Sequence, residues 1–261
     1  MNAMSTATNE FPSEVQLAVT AGVAVITLDA PQRRNALTVA MARELIAVCD
    51  RVDADPTIGA VVVTGAGAYF CAGGERPTLA AAGERPADPD MFEAMGDIYQ
   101  SFKRVGELEP PTIAAIRGGA VGAGMNLALA TDLRIVADDA RLMSGFLAIH
   151  LHQGGGHGTL LARTGAREAG NAMSLFGESV IGRRAVELGL AWESVPADAV
   201  ETRAVELAAV PAADPELARR TAASMRLQAS LDDSAWSRGL QLERATQMWS
   251  MRRRHLDAER G

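Results

Sequence analysis

The sequence predicts an α/β fold, a core of buried strands with intervening helices followed by a purely helical C-terminal region. Two observations carry this. Residues 111–137, PTIAAIRGGAVGAGMNLALATDLRIVA, read as strand, glycine turn, helix and strand in succession. Beyond about Ala197 the strand signals stop and only helical spacings of apolar residues remain.

The elements follow in order. Residues 1–13 are polar and expected to be disordered, residues 14–196 form the core, and residues 197–261 form the helical region. Residues 15–19 and 23–28 flank Ala21-Gly22 as a β-hairpin. The arginine-rich loop DAPQRRNALT leads to a helix capped by Thr38, with Met41, Leu45, Val48, Cys49 and Val52 on one face. Residues 60–64 make a buried strand, followed by GAGAYFCAGGERP. Residues 77–90, rich in Ala, Pro, Gly and charge, read as a mobile loop. Met91, Met95, Ile98, Phe102 and Val105 space as a helix. The central stretch then supplies strands at 112–116 and 133–137 around a helix at 125–130. Residues 166–176 and 182–189 read as helices, as do 198–210, 214–230 and 233–256 in the tail, where Trp236, Leu240 and Met248 form part of an apolar stripe.

Bulk properties exclude several classes. A hydrophobic share of 48% with 22% charge is the balance of a soluble globular chain, and no apolar run is long enough to span a bilayer, so no membrane partner is expected. The N-terminus has no signal-peptide core. Net charge of −7 argues against nucleic-acid binding. Cys49 and Cys71 are too few for a disulfide framework, which points to the cytoplasm.

The chemistry begins at the glycine turn. Gly118, Gly119, Gly122 and Gly124 stand at the mouth of a helix, where unpaired N–H groups and the positive end of the helix dipole can hold developing negative charge. The pattern matches neither a Walker A loop nor the dinucleotide fingerprint, and tight helix–strand packing explains the glycines equally well.

Taken together, PQRRNALT, TGAGAYFCAGGERP, the central stretch through DDARL, the GGG loop at 154–156 and LFGESVIGRRAVELGLAWESV resemble the crotonase, or enoyl-CoA hydratase/isomerase, superfamily. The resemblance implies a ββα superhelix with a C-terminal helical trimerisation region, assembled as a homotrimer or a dimer of trimers. It implies an acyl-CoA thioester as substrate or ligand, with no separate cofactor and no metal, and a place in fatty-acid or related acyl-CoA metabolism. The family holds the thioester oxygen between two backbone N–H groups, which fall here on Gly74 and Ala123. The segment with Arg33, Arg34 and Ala36, together with Ala72 and Gly74, matches the family's CoA-binding region, where either arginine can pair with a phosphate.

The sequence departs from the family at both glutamates used for hydration. Those positions carry Asn126 and Phe146, neither of which exchanges a proton at neutral pH. Remaining candidates are Glu75, beside Gly74, the histidines His150, His152 and His157, with His152 favoured as a base, and Asn126 as an orienting group. Three histidines without a neighbouring carboxylate or thiolate make a poor metal site. Met143, Phe146 and Leu147 suit an acyl pocket or core packing. Two functions follow: an acyl-CoA enzyme of the isomerase, hydrolase, decarboxylase or lyase type, or a non-catalytic acyl-CoA binder.

Overall fold

The computed structural model describes residues 13–228 and 233–260. The expected disorder of residues 1–13 therefore lies, apart from Ser13, outside the described residues, as do the last two positions of the helix expected at 214–230.

The chain opens with the hairpin of β1 (Val15–Thr20) and β2 (Val23–Leu28), paired antiparallel across Ala21 and Gly22, both at positive φ. Then come α1 (Val39–Ala54), β3 (Ala60–Gly65), α2 (Arg76–Glu84), α3 (Pro89–Gly106) and β4 (Thr112–Ile116). The middle of the chain gives β5 (Gly119–Val121), α4 (Ala123–Ala130), β6 (Leu133–Ala137), β7 (Arg141–Met143), α5 (His157–Arg163), α6 (Arg167–Leu175), β8 (Ser179–Ile181), α7 (Gly182–Glu187) and β9 (Glu193–Val195). The tail is α8 (Val200–Ala212), α9 (Pro215–Gln228) and α10 (Asp233–Ala258).

Two sheets result. The larger has the order β1-β2-β3-β4-β6-β9 and is parallel from β2 onward; the smaller is β5-β7-β8. Every residue of β3 and β4 is buried, as parallel strands covered on both faces require. The Thr38 hydroxyl accepts the Met41 N–H at 3.0 Å, and α1 buries Met41, Leu45, Val48, Cys49 and Val52.

Two expectations are corrected. Residues 77–90 are not a mobile loop: α2 occupies most of that stretch, and its Ala82 and Gly83 lie beneath α10. A Cβ on Gly83 would stand 2.8 Å from the Met251 carbonyl, so the small side chains that read as loop are what lets α10 close over the helix. The central helix begins at Ala123 rather than Met125, and residues 119–121, read as turn, form a strand of the smaller sheet. In the tail, Leu240 and Met248 are buried in the core. The Trp236 side chain lies outside the described residues.

Asn35 anchors the loop that carries the arginines. It is buried in a left-handed conformation; its Oδ1 accepts the Ala30 N–H at 2.9 Å, and its Nδ2 donates to the Ala66 and Tyr69 carbonyls at 3.0 and 2.7 Å. Asn35→Ala leaves three backbone groups unpaired in the interior, and is expected to lower the unfolding free energy by about 3 kcal/mol, read as a drop in the urea midpoint at constant slope.

Candidate active site

The site forms where two turns meet. The Gly73-Gly74 turn leaves β3, and the Val121-Gly122 turn leaves β5 and enters α4. They are held together by backbone hydrogen bonds: Cys71 N–H to Gly119 O at 3.2 Å, Val121 N–H to Cys71 O at 3.1 Å, and Leu37 N–H to Gly73 O at 2.7 Å. Gly73 has φ of 98°, and a Cβ there would lie 2.7 Å from the Val121 carbonyl. A Cβ on Gly124 would lie 2.2 Å from the Cys71 carbonyl. These two glycines set the close approach of the turns.

The approach presents two free donors. Gly74 pairs with Leu37 as a parallel bridge through the bonds of its neighbours, which turns its own N–H the other way. Ala123 is the first residue of α4, where a helix has no internal partner for its N–H. Among the described residues neither N–H is given to a backbone carbonyl. Both residues line one cleft. Its walls are mostly apolar, with Leu79, Met95, Ile98, Ile149 and Leu151 among them.

One polar chain interrupts the apolar wall. The buried Asn126 donates from Nδ2 to the Gly154 carbonyl at 2.9 Å, so its Oδ1 faces His157 Nδ1 at 2.7 Å. The acceptor at Gly154 fixes the amide orientation, which places the imidazole proton on Nδ1 and leaves Nε2 with its lone pair. That Nε2 meets Ser144 Oγ at 2.6 Å, and Ser144 Oγ lies 3.2 Å from Ser174 Oγ. His157 is fully buried, and desolvation pushes its pKa down to about 4, so the ring is neutral at physiological pH. The Phe146 ring packs edge-on against it at 5.1 Å between centroids.

The loop at 154–156 and the tail seat this chain. Gly155 has φ of 78°, and a Cβ there would lie 2.7 Å from Asn126 Nδ2. Glu243, on α10, accepts the N–H groups of His157 and Gly158 at 2.9 and 3.0 Å, capping α5 with a carboxylate. Gln247, also on α10, lines the cleft and accepts a hydrogen bond from the Tyr99 hydroxyl.

The remaining sequence candidates lie as follows. Asn126 and Phe146 line the cleft with Gly74, Ala123 and Ala72. Glu75 and His152 do not. Glu75 precedes α2 and accepts from the Thr78 hydroxyl at 3.4 Å, while His152 Nδ1 is bonded to the Gln153 carbonyl at 2.6 Å. His150 is exposed in a left-handed turn. Arg33 is held by Glu14 through two bonds of 2.5 Å and also donates to the carbonyl of the buried Ala36. Arg34 is exposed, 5.6 Å from the Tyr69 ring centre, and its carbonyl accepts the Ala72 N–H at 3.0 Å, which ties the arginine loop to the Gly73-Gly74 turn. Sequence reasoning did not single out Ser144, Gln247 or Glu243, which no local pattern marks; it named His157 among three candidate bases and favoured His152. Among the described residues no group of three metal-ligating side chains occurs, and burial pushes the Cys49 and Cys71 thiols up to about 12.

Comparison with known proteins extends over nearly the whole chain. Residues 18–258 match the family model for enoyl-CoA hydratase/isomerase. A probable enoyl-CoA hydratase of Mycobacterium tuberculosis, EchA14, is 43% identical over 83% of this chain and 82% of its own length. The 1,2-epoxyphenylacetyl-CoA isomerase of Escherichia coli is 32% identical over 72% of this chain and 71% of its own. The crystal structure of an enoyl-CoA hydratase/isomerase from Xanthobacter autotrophicus Py2 superposes with a TM-score of 0.82 at 29% identity, covering 94% of this chain and 95% of the other. A family model that matches residues 18–258 and a relative 43% identical over 83% of the chain show that it belongs to the enoyl-CoA hydratase/isomerase family.

Proposed function

We propose that the protein binds an acyl-CoA thioester with the carbonyl oxygen between the N–H groups of Gly74 and Ala123, and stabilises the negative charge that develops there during reaction. The observation that carries this reading is the pair of unpaired N–H groups facing one apolar cleft. Donors fixed by backbone pairing need no reorganisation as charge forms, and loss of one typically costs 10²–10³-fold in rate. The apolar walls suit an acyl chain, and the exposed Arg34, tied to the same turn, suits the CoA phosphates. Asn126 and Phe146 stand at the family's glutamate positions, which favours chemistry other than hydration. That an isomerase of a coenzyme A ester is among the relatives is consistent with a scaffold used for more than one reaction.

Ala123→Pro tests the placement. Proline removes one donor, and the first position of a helix tolerates it. The variant is expected to keep its fold and to bind an acyl-CoA enolate analogue at least about tenfold more weakly by calorimetry. Unchanged affinity in a correctly folded variant would remove Ala123 from the site.

We also propose assembly as a homotrimer or dimer of trimers. In support, Val210, Leu217, Met225 and Leu227 expose apolar side chains on α8 and α9, away from the cleft walls. Light scattering at micromolar concentration is expected to give three or six times the chain mass; a monomer would exclude it. Among the described residues no helix is long and apolar enough to cross a membrane.

A further inference from the structure

We propose that Ser144, His157 and Asn126 act as nucleophile, base and orienting group, and that the protein hydrolyses acyl-CoA thioesters through an acyl-Ser144 intermediate. The inference rests on the thioester carbonyl lying at Gly74 and Ala123. It adds the group that attacks it.

The three side chains meet the geometry such a relay needs. Ser144 Oγ is 2.6 Å from His157 Nε2, and His157 Nδ1 is 2.7 Å from Asn126 Oδ1. A nucleophile and base within hydrogen-bond reach, with a third group orienting the base, is the arrangement that activates a hydroxyl. The direction of the relay is set by the Gly154 carbonyl. It takes the Asn126 amide N–H, which forces the Asn126 oxygen onto Nδ1–H and leaves Nε2 free to accept the Ser144 proton. A reversed tautomer would leave Ser144 without a base.

The nucleophile stands beside the donors. Ser144 lines the same cleft as Gly74 and Ala123. The residue before it, Met143, gives its carbonyl to the Gly122 N–H at 3.1 Å, so the turn that presents Ala123 is bonded to the strand end that presents Ser144. A Cβ on Gly122 would lie 3.6 Å from the Ser144 carbonyl. The base is held from three sides: Glu243 caps the helix it begins, Phe146 packs against its ring, and Gly155 lets the loop close on Asn126. A structural histidine needs only satisfied hydrogen bonds. This one is aimed by its tautomer at a hydroxyl in the wall of the cleft.

The reaction balances with water as the only co-reactant. Ser144 Oγ attacks the thioester carbon while His157 Nε2 takes its proton, and the carbonyl oxygen becomes an oxyanion held by the Gly74 and Ala123 N–H groups. Collapse breaks the C–S bond, and the imidazolium returns the proton to the CoA thiolate. Water then gives a proton to Nε2 as it attacks the acyl-serine ester. Ser144 Oγ leaves and takes that proton, so acyl-CoA and water become carboxylic acid and CoA thiol.

Asparagine in place of a carboxylate leaves the imidazolium without an opposing charge, and the buried ring resists protonation. The reaction is therefore slow. Turnover is expected well below the enzyme median of about 10 s⁻¹.

The test combines three readouts on the intact protein. Thiol release from butyryl-CoA is followed with a disulfide reagent. The protein is quenched in acid and weighed for one added butyryl group, which peptide mapping places on Ser144. Binding is measured with a butyryl-CoA thioether that has no cleavable acyl bond. The expected result is slow release, an adduct on Ser144 and binding of the thioether. Ser144→Ala is expected to lose adduct and at least about 100-fold of the release while still binding the thioether. Ser144→Cys, which keeps a nucleophile there if the alanine variant misfolds, is expected to form a thioester adduct at the same position. Thioether binding without thiol release or adduct would overturn this inference and leave the proposed binding intact. Absence of thioether binding would overturn both, and release unchanged in Ser144→Ala would remove the serine from the reaction.

Discussion

Crotonyl-CoA offered to the purified protein is expected to be hydrated far below about 10 s⁻¹, with a deficit on the order of 10²–10⁴-fold for each missing acid or base. Hydration needs one group to take a proton from water and another to manage the proton at the α carbon. Asn126 cannot titrate, and its amide is already engaged at both ends: Nδ2 donates to the Gly154 carbonyl and Oδ1 faces His157 Nδ1. Phe146 packs on the His157 ring and presents no polar atom. His157 is the nearest base, but its lone pair is already directed at Ser144. The measurement is the loss of enoyl absorbance in a contaminant-free preparation. Hydration near the enzyme median would refute this assignment.

Acid is expected to destabilise the protein through His157 before most carboxylates respond. The free imidazole titrates near 6.5 and the folded one near 4. Above about pH 6.5 both states are neutral and the group has no effect. Between about 6.5 and 4 the unfolded chain takes up a proton that the folded chain refuses, so stability falls as pH falls. The loss reaches about 3 kcal/mol once pH is below both values, and about 2 kcal/mol of it appears between pH 7 and 5. A carboxylate such as Glu14, held below its usual range by Arg33, responds at lower pH. Urea unfolding at pH 7 and pH 5 checks the window, and His157→Gln is expected to flatten it. Equal stability of the natural protein at the two values, or an imidazole resonance titrating near 6.5, would contradict this.

What the sequence made legible follows from how local each signal is. The hairpin, the Thr38 cap and the strands expected at 60–64 and 112–116 are encoded by neighbours a few residues apart, and all formed there to within one residue. The glycines at the mouth of α4 were legible as a close approach, although only the structure shows that Gly124 opposes Cys71 and that Gly73, which that pattern did not mark, opposes Val121. Helix α2 was hidden because its buried residues are Ala82 and Gly83, which look like linker until Met251 arrives from the far end of the chain. The three-residue strands of the smaller sheet are too short to carry a period. Among the histidines, alternation could not decide which ring faces inward. That is set by the left-handed glycines at 155 and 156, which turn His157 into the core and leave His152 against its own loop.

Helix α10 gives the site a date in the life of the chain. The glycine turns and Ser144 leave the ribosome well before Glu243 and Gln247. Until they arrive, the amide groups at the start of α5 have no carboxylate to receive them, and one wall of the cleft is missing. A nascent chain that still lacks α10 can therefore possess the central sheet and both glycine turns without a seated imidazole. Completion of the cleft therefore waits on the synthesis of α10.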